Sequence, residues 1–266
     1  MKLFKKTVAV VLTAVMAVGV FSACSKKDSD KGAEDDGVLV VGFDCEFPPM
    51  GFIDEDGEYV GFDLDLAREV AKRLDMEFEA KPIAWDAKDQ ELEAGNIDCI
   101  WNGFTISGRE DNYTWTDAYM ANDQVVVVRS DSDIKTLSDL KGLTVVVQKD
   151  SSGLAALEEN TDLMDSFGEL KQADDYLSAM MDLEVGGVDA IVMDEIVARY
   201  QIQTSGRDFK ILDESVASEE YGVGFLLGNE ELRDKVQKTL EEMAEDGTLA
   251  EISEKWFGED VTTIGK

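Results

Sequence analysis

The side chains able to bind or react cluster directly after short apolar runs. Asp44, Cys45, Glu46, Phe47 and Pro48 follow Val38–Phe43, and Trp85 and Asp86 follow the run that ends at Ile83. The segment Asn102-Gly103-Phe104-Thr105-Ile106-Ser107-Gly108-Arg109 follows Trp101, and Gln148-Lys149-Asp150-Ser151-Ser152-Gly153 follows Val145–Val147. Asp194 closes a run that starts at Val188. Ligands of open α/β sheets lie beyond the carboxyl ends of strands, which is where these residues fall if the runs are strands. Together they have the parts that a free amino acid requires. Arg109 is a forked cation for its carboxylate, and a helix start at Ser151–Gly153 adds backbone amides. An ammonium needs an anion, and Asp44 and Asp194 stand in opposite halves of the chain. Phe47 and Trp85 offer flat faces to a side-chain stem.

Each of these residues also has a plainer reading. Arg109, followed by Glu110 and Asp111, fits a solvated loop charge. Asp194 fits a cap on a helix over Glu195–Gln203, and Ser151 and Ser152 fit caps whose amides would serve an anion equally well. Phe47 and Trp85 fit a core, as do Trp101, Trp115 and Trp256. The acid-rich stretches 54–58 and 213–220 read as solvated faces, since neither has EF-hand spacing.

Charge and composition narrow the field. There are 25 Lys and Arg against 58 Asp and Glu, a formal net charge of −33, and the 266 residues include no histidine. Phosphate backbones are bound largely by Lys and Arg, so nucleic acid is not an expected partner. Without imidazole, Ser-His-Asp and Cys-His nucleophiles are excluded, along with the commonest general base. No cysteine spacing suits zinc or an iron–sulfur cluster, so neither metal nor cofactor is expected.

The elements that must position these residues alternate. Val38–Phe43 reads as a buried parallel strand and Asp54–Gly57 as a turn. Asp63 is placed to cap a helix with Leu64, Ala67, Val70, Ala71 and Leu74 on one face. Phe78–Ile83 is a strand, Asp86–Ala94 a helix stopped by Gly95, and Ile97–Trp101 a strand. This is an α/β pattern. It repeats: Gly95-Asn96-Ile97-Asp98-Cys99-Ile100 recurs as Gly186-Gly187-Val188-Asp189-Ala190-Ile191, and Gly37–Val41 as Gly142–Val146. Two similar lobes with mixed, mainly parallel sheets and a cleft between them follow. Glu230–Phe257 reads as a helical tail on one lobe. Only Pro48, Pro49 and Pro82 are prolines, and no low-complexity linker intervenes, so short paired crossovers should join the lobes.

The N-terminus has a basic start, Met1–Lys6, an apolar run, Val8–Phe21, and small residues Ser22 and Ala23. These read as a signal peptide over residues 1–23, short for a membrane span; an uncleaved anchor is the alternative. Phe21-Ser22-Ala23-Cys24 resembles a bacterial lipobox, which implies lipidation of Cys24. Residues 24–37 then read as a solvated tether. Cys45 and Cys99 are either bridged or free thiols.

Beyond its parts, the chain resembles the family 3 extracellular solute-binding proteins, polar amino-acid receptors of ABC importers. The likeness runs from about Val38 to Gly258. It is carried by Val41-Gly42-Phe43-Asp44 with Phe47-Pro48-Pro49, by Tyr59-Val60-Gly61-Phe62-Asp63-Leu64-Asp65-Leu66-Ala67, and by Asn102-Gly103-Phe104-Thr105-Ile106-Ser107. Val188-Asp189-Ala190 with Asp194, Gly247-Thr248-Leu249 and Lys255-Trp256-Phe257-Gly258 continue it. The resemblance implies a type II periplasmic-binding-protein fold, with residues 38–119 and 222–266 in lobe 1 and 120–221 in lobe 2. By the same resemblance Asp44 and Asp194 contact the ligand ammonium or side chain. Gly103, Thr105, Arg109 and Ser151 hold its carboxylate, and Phe47 and Trp85 enclose its side chain. Two departures stand out: Gly108 alone separates Ser107 from Arg109 where the family usually has two residues, and Asp150 replaces a usual glycine.

The function implied is a lipid-anchored, monomeric receptor on the outer face of the cell membrane, closing on an amino acid and delivering it to ABC permease subunits. Asp44, Glu46 and Asp86 lean toward a cationic or otherwise polar side chain, with cystine and glutamine open. An extracellular enzyme of the same fold, dehydratase-like or peptidoglycan-processing, is the competing reading; Glu46 or Asp86 would be its acid or base. A surface lipoprotein without a transport role is the third.

Overall fold

An apolar strand with no polar face must be covered on both sides, and both central strands of this protein meet that condition. The computed structural model describes residues 37–266; the expected signal segment, Cys24 and all of the tether but Gly37 lie outside the described residues. β1 (Val38–Phe43) leads into a small antiparallel sheet of β2 (Glu46–Phe47), β3 (Gly51–Ile53) and β4 (Tyr59–Val60). Then come α1 (Phe62–Arg73), β5 (Glu77–Pro82), α2 (Lys88–Glu93), β6 (Cys99–Ile100) and β7 (Thr114–Trp115). The chain next builds a second sheet region: β8 (Met120–Arg129), β9 (Thr144–Gln148), α3 (Ser152–Glu159), α4 (Thr161–Met164), β10 (Glu169–Ala173) and α5 (Tyr176–Glu184). It is completed by β11 (Ala190–Asp194), α6 (Glu195–Ser205), β12 (Phe209–Ile211) and β13 (Ala217–Tyr221). β14 (Gly224–Phe225), α7 (Glu230–Asp246) and α8 (Thr248–Phe257) end the chain.

The two large sheets have the same order, β5-β1-β6-β14-β7 and β10-β9-β11-β8-β12. β1 pairs in parallel with β5 and β6, β9 in parallel with β10 and β11, and an antiparallel strand follows in each. The internal sequence repeat has a physical counterpart. Asp98 accepts the Val40 amide at 2.7 Å, and Asp189 accepts the Thr144 amide at 2.9 Å, so each pins the start of a central strand. Gly95 and Gly186, with φ of 69° and 77°, end the preceding helices as only glycine does readily.

The lobes meet through two adjacent crossovers. β13 pairs antiparallel with the start of β8, the Tyr119 amide donates to Tyr221 O at 2.9 Å, and the Thr116 amide donates to Val223 O at 3.1 Å. After Gly222 the chain rejoins the first sheet through β14. α7 and α8 pack on α1, with Phe62 and Phe257 rings 5.0 Å apart and Arg73 paired to Asp246 at 2.8 Å. The expected single helical tail is two helices, because Gly247 takes φ 88° between them.

Asp63 is not a cap. α1 starts at Phe62, two residues earlier than a helix capped by Asp63 would, so Asp63 falls in the first turn and points inward. It is fully buried, and its Oδ2 accepts the Gly103 amide at 2.6 Å and the Tyr119 hydroxyl at 2.9 Å. One carboxylate thus ties helix, loop and crossover together. Burial pushes its pKa up to about 7, against the pull of those two donors.

A raised acid pKa adds stability below its unfolded value, near 3.9, and loses that contribution as pH rises through about 7. Asp63→Asn can still accept both bonds but does not titrate. The stability advantage of wild type over Asp63→Asn should therefore fall between pH 4 and 8, by at most about 4 kcal/mol. Denaturant melts across that range check it; a pH-independent difference would show that Asp63 does not bind a proton on folding.

Candidate functional site

Strand ends from both sheets converge on one small cavity. Phe47, Trp85, Gly103, Thr105, Arg109, Ser151 and Asp194, seven of the eight residues expected to bind ligand, line it with Asn102, Gln148 and Ser152. Asp44, the eighth, is joined to this wall because Gln148 Nε2 donates to its Oδ2 at 2.7 Å.

On the first-sheet side, Asp44 sits where β1 ends. Its amide donates to Asn102 Oδ1 at 2.8 Å, and its own Oδ1 accepts the Glu46 amide at 2.9 Å. Burial raises the Asp44 pKa; the Glu46 amide and Gln148 oppose that, and Asp175 adds to it. Phe47 packs against Tyr176 from α5, ring centroids 6.0 Å apart. Gly103 has φ 56°, and a Cβ there would come within 3.1 Å of the Phe47 ring and 3.2 Å of Tyr221, so the loop passes only as glycine. Trp85 is half-buried and meets Phe104 edge-on at 5.5 Å.

Arg109 lies in the cavity despite the shortened loop. The single intervening residue Gly108 takes φ 78°, and the Arg109 amide closes a turn onto Ile106 O at 2.8 Å. Its guanidinium donates to Thr105 O at 3.3 Å and Asp150 O at 3.4 Å, and lies 5.4 Å from the Phe104 ring centre. These are long bonds to neutral acceptors, and the fork makes no bidentate pair there.

On the second-sheet side, Ser151 caps α3, its Oγ accepting the Leu154 amide at 3.1 Å. Asp194 precedes α6 but does not cap it. Its Oδ1 accepts the Tyr221 hydroxyl at 2.5 Å and Asn122 Nδ2 at 3.2 Å instead. The cap reading fails because the carboxylate turns toward the crossover strands. At 3% exposure, with Glu219 beside it, its pKa is held well above the carboxylate range, by burial first and that neighbour second.

Sequence reasoning missed several members. Glu219, expected on a solvated face, is buried: the stretch 213–220 is strand at that point, and alternation turns residue 219 inward while 218 and 220 face out. Lys88 was unremarked within its helix, yet it is buried, and its ammonium reaches across to the Asp150 carboxylate, Asp150 O at 3.3 Å and the face of Trp85 at 5.2 Å. The charge at Asp150, where glycine is usual, is therefore matched by a lysine from the other sheet's side. Burial lowers the Lys88 pKa and Asp150 opposes the fall. Gln148, already noted at its strand end, reaches Asp44, while Gln124, in the middle of β8, carries no signal in the sequence. Cys45 and Cys99 are free thiols. Glu46, a candidate acid for an enzyme, is exposed on the rim, where burial and Asp175 raise its pKa; Asp86 is also exposed.

Residues 39–259 match the family model described as bacterial extracellular solute-binding proteins, family 3. The chain belongs to that family. It is 34% identical to L-cystine-binding protein TcyJ of Escherichia coli over 259 residues, 94% of this chain and 96% of that one. It is 35% identical to the probable amino-acid-binding protein YxeM of Bacillus subtilis over 266 residues, 98% of each chain. A solved ABC uptake transporter substrate-binding protein from Streptococcus pneumoniae with bound histidine aligns with a TM-score of 0.83 and 35% identity, covering 85% of this chain and 95% of that one. This family 3 protein is thus an extracytoplasmic substrate-binding protein of an amino-acid ABC transporter, and its two-lobed α/β fold is that of the type II binding proteins. The relatives are binding proteins, and nothing among them supports the enzyme alternative. Among the described residues no helix is long and apolar enough to cross a membrane.

The Lys88–Asp150 contact gives a differential test. Asp150→Asn keeps the left-handed conformation at φ 52°, which asparagine tolerates, but leaves a buried ammonium unpaired. Because Asp150 is half exposed, the expected loss is about 1–2 kcal/mol in denaturant melts. Lys88→Met, which removes the buried charge as well, should cost less; the reverse order would show that the pair is not what stabilises this contact.

Proposed function

We propose that the cavity holds one free amino acid between the lobes, its carboxylate on Arg109, Thr105, Gly103 and the Ser151 helix start, its ammonium on Asp194. Phe47 and Trp85 grip the side-chain stem, and Asp44 lies at its far end. The observation that carries this reading is the pairing of unmet charges: Arg109 and Asp194 come from different sheets, line one cavity, and neither has an oppositely charged partner there. A zwitterion supplies both partners at once.

A ligand that touches both lobes stabilises their closed arrangement, with 38–119 and 222–266 moving against 120–221 about the paired crossovers. That closed form is what a permease would recognise. Export and lipid attachment at Cys24, supported by the sequence of residues 1–24, complete the proposal together with a monomeric state. Relatives named for cystine and found with histidine favour a polar side chain, and the buried acid Asp44 favours a cationic or hydrogen-bonding one. We expect no enzymatic turnover of the ligand.

Thermal-shift screening against all amino acids and cystine should give a distinct rise in melting temperature for a small set, because a ligand that binds only the folded state stabilises it. For the best of these, Arg109→Ala should weaken calorimetric affinity by about 2–4 kcal/mol with the fold intact, having removed a charged fork. Unchanged affinity would take Arg109 out of the site.

A further inference from the structure

Glu219 is only 6% exposed and stands beside Asp194, itself 3% exposed. Its Oε2 accepts Thr105 Oγ1 at 3.0 Å, and its Oε1 accepts Asn122 Nδ2 at 2.6 Å and Gln124 Nε2 at 2.9 Å. Asn122 Nδ2 also reaches Asp194 Oδ1 at 3.2 Å, so one amide nitrogen bridges both carboxylates. The two acids are thus held side by side on one shared donor, out of contact with water. Two buried carboxylates so placed repel each other, and a proton held between them removes that repulsion. The donors around the pair are neutral amides and hydroxyls, and no lysine or arginine forms an ion pair with either acid among the described residues. Such a set stabilises one negative charge; a second needs a cation or a proton.

The pair belongs to the cavity. Asp194 lines it, and Thr105, which also lines it, donates to Glu219 through Oγ1 while its carbonyl accepts from Arg109. Glu219 itself lines the wider cleft that adjoins the cavity along Thr105, Arg109 and Ser151. A further sign is the Tyr176 hydroxyl from α5, buried beside these acids with no hydrogen-bond partner that meets normal geometry.

We propose that Glu219 is a second carboxylate of the ammonium site, and that the ligand ammonium takes the place of a proton that Glu219 and Asp194 share in the free protein. This rests on the reading that Asp194 receives the ammonium. The ammonium keeps its own three protons, and the shared proton leaves to solvent. Binding then releases close to one proton per ligand, and affinity falls about tenfold per pH unit on the acid side of the pair's apparent pKa. A ligand that keeps the carboxylate but replaces the amine by a hydroxyl cannot displace the proton and is rejected.

Other groups that face the pair bear on the count. Tyr221 comes from the same strand as Glu219, Tyr176 from α5 and Asp44 from the end of β1, while Arg109 lies across the cavity. Asp123, Glu195 and Glu220 line the solvent side with Glu219. Asp44 is the other buried acid able to exchange a proton, so the variant must separate it from Glu219.

Carboxyl-carbon NMR of the free protein reads the proton directly: one carboxyl of the pair should stay protonated at pH 6, and two ionised carboxylates at that pH would overturn the proposal. Calorimetry with the amino acid that gives the largest thermal shift, repeated in buffers of different ionisation enthalpy at pH 6, should show release of close to one proton, and Glu219→Gln should abolish most of it. Equal heats in all buffers, or undiminished release by a folded Glu219→Gln, would overturn the proposal while leaving amino-acid binding in place. Should Glu219→Gln not fold, the wild-type proton count decides alone. Binding of no amino acid at all would remove the underlying site and this inference with it.

Discussion

Asp44, Asp63, Lys88, Asp194 and Glu219 all carry ionisable heads into the interior, within reach of the surfaces where two sheets end. An unpaired charge removed from water is destabilising by several kcal/mol, so each must find donors, a counter-charge or a proton. Lys88 finds Asp150 on the far side of the cleft, and Asp44 finds Gln148 there. Asp63 is satisfied within its own lobe and its crossover, by Gly103 and Tyr119. Asp194 and Glu219 find neutral donors and share one of them, Asn122. The fold exists around these accommodations as much as around its apolar core.

A duplicated sheet order is what creates the site. In each half the central parallel strands end in the same direction, so their carboxyl-end loops are presented as one face. Two such faces are joined by adjacent crossovers, the kind of connection about which hinge closure takes place. Arg109 from one side and Asp194 from the other then line a single cavity, and neither forms an ion pair among the described residues. In the proposed binding mode, binding and closure are one event, because the ligand supplies counter-charges that the protein withholds from itself.

The acids that stay outside behave differently. Glu46 faces Asp175 across the rim, and Asp123, Glu195 and Glu220 surround the crossover strands from the solvent side. With a formal charge of −33 spread over 266 residues, such repulsion is screened by water and salt and limits compactness only weakly. Burial, not the number of acids, separates those that shape the site from those that keep the surface soluble.

Much of this architecture is legible in the sequence. The continuous apolar runs Val38–Phe43 and Val145–Val147 marked central strands because a parallel strand is covered on both faces. The Gly-x-[Ile/Val]-Asp repeat announced duplicated topology because each copy is a helix stop followed by a buried strand, and the structure adds that each aspartate pins the strand beside it. Residues following those runs were placed at the cavity by the rule that ligands sit at strand carboxyl ends. What the sequence could not decide is orientation and partnership. Asp63 and Asp194 both stand at helix starts, where a cap is the local solution; only the packing of crossover against loop turns them inward to Tyr119 and Tyr221. Glu219 looked like one acid among many until strand alternation buried it, and Lys88 like a helix-surface lysine until Asp150 arrived from a residue 62 positions away. Local patterns determine which elements form, because their energetics are local; which charges lose water depends on what the other lobe brings, and that is decided only when the two are folded against each other.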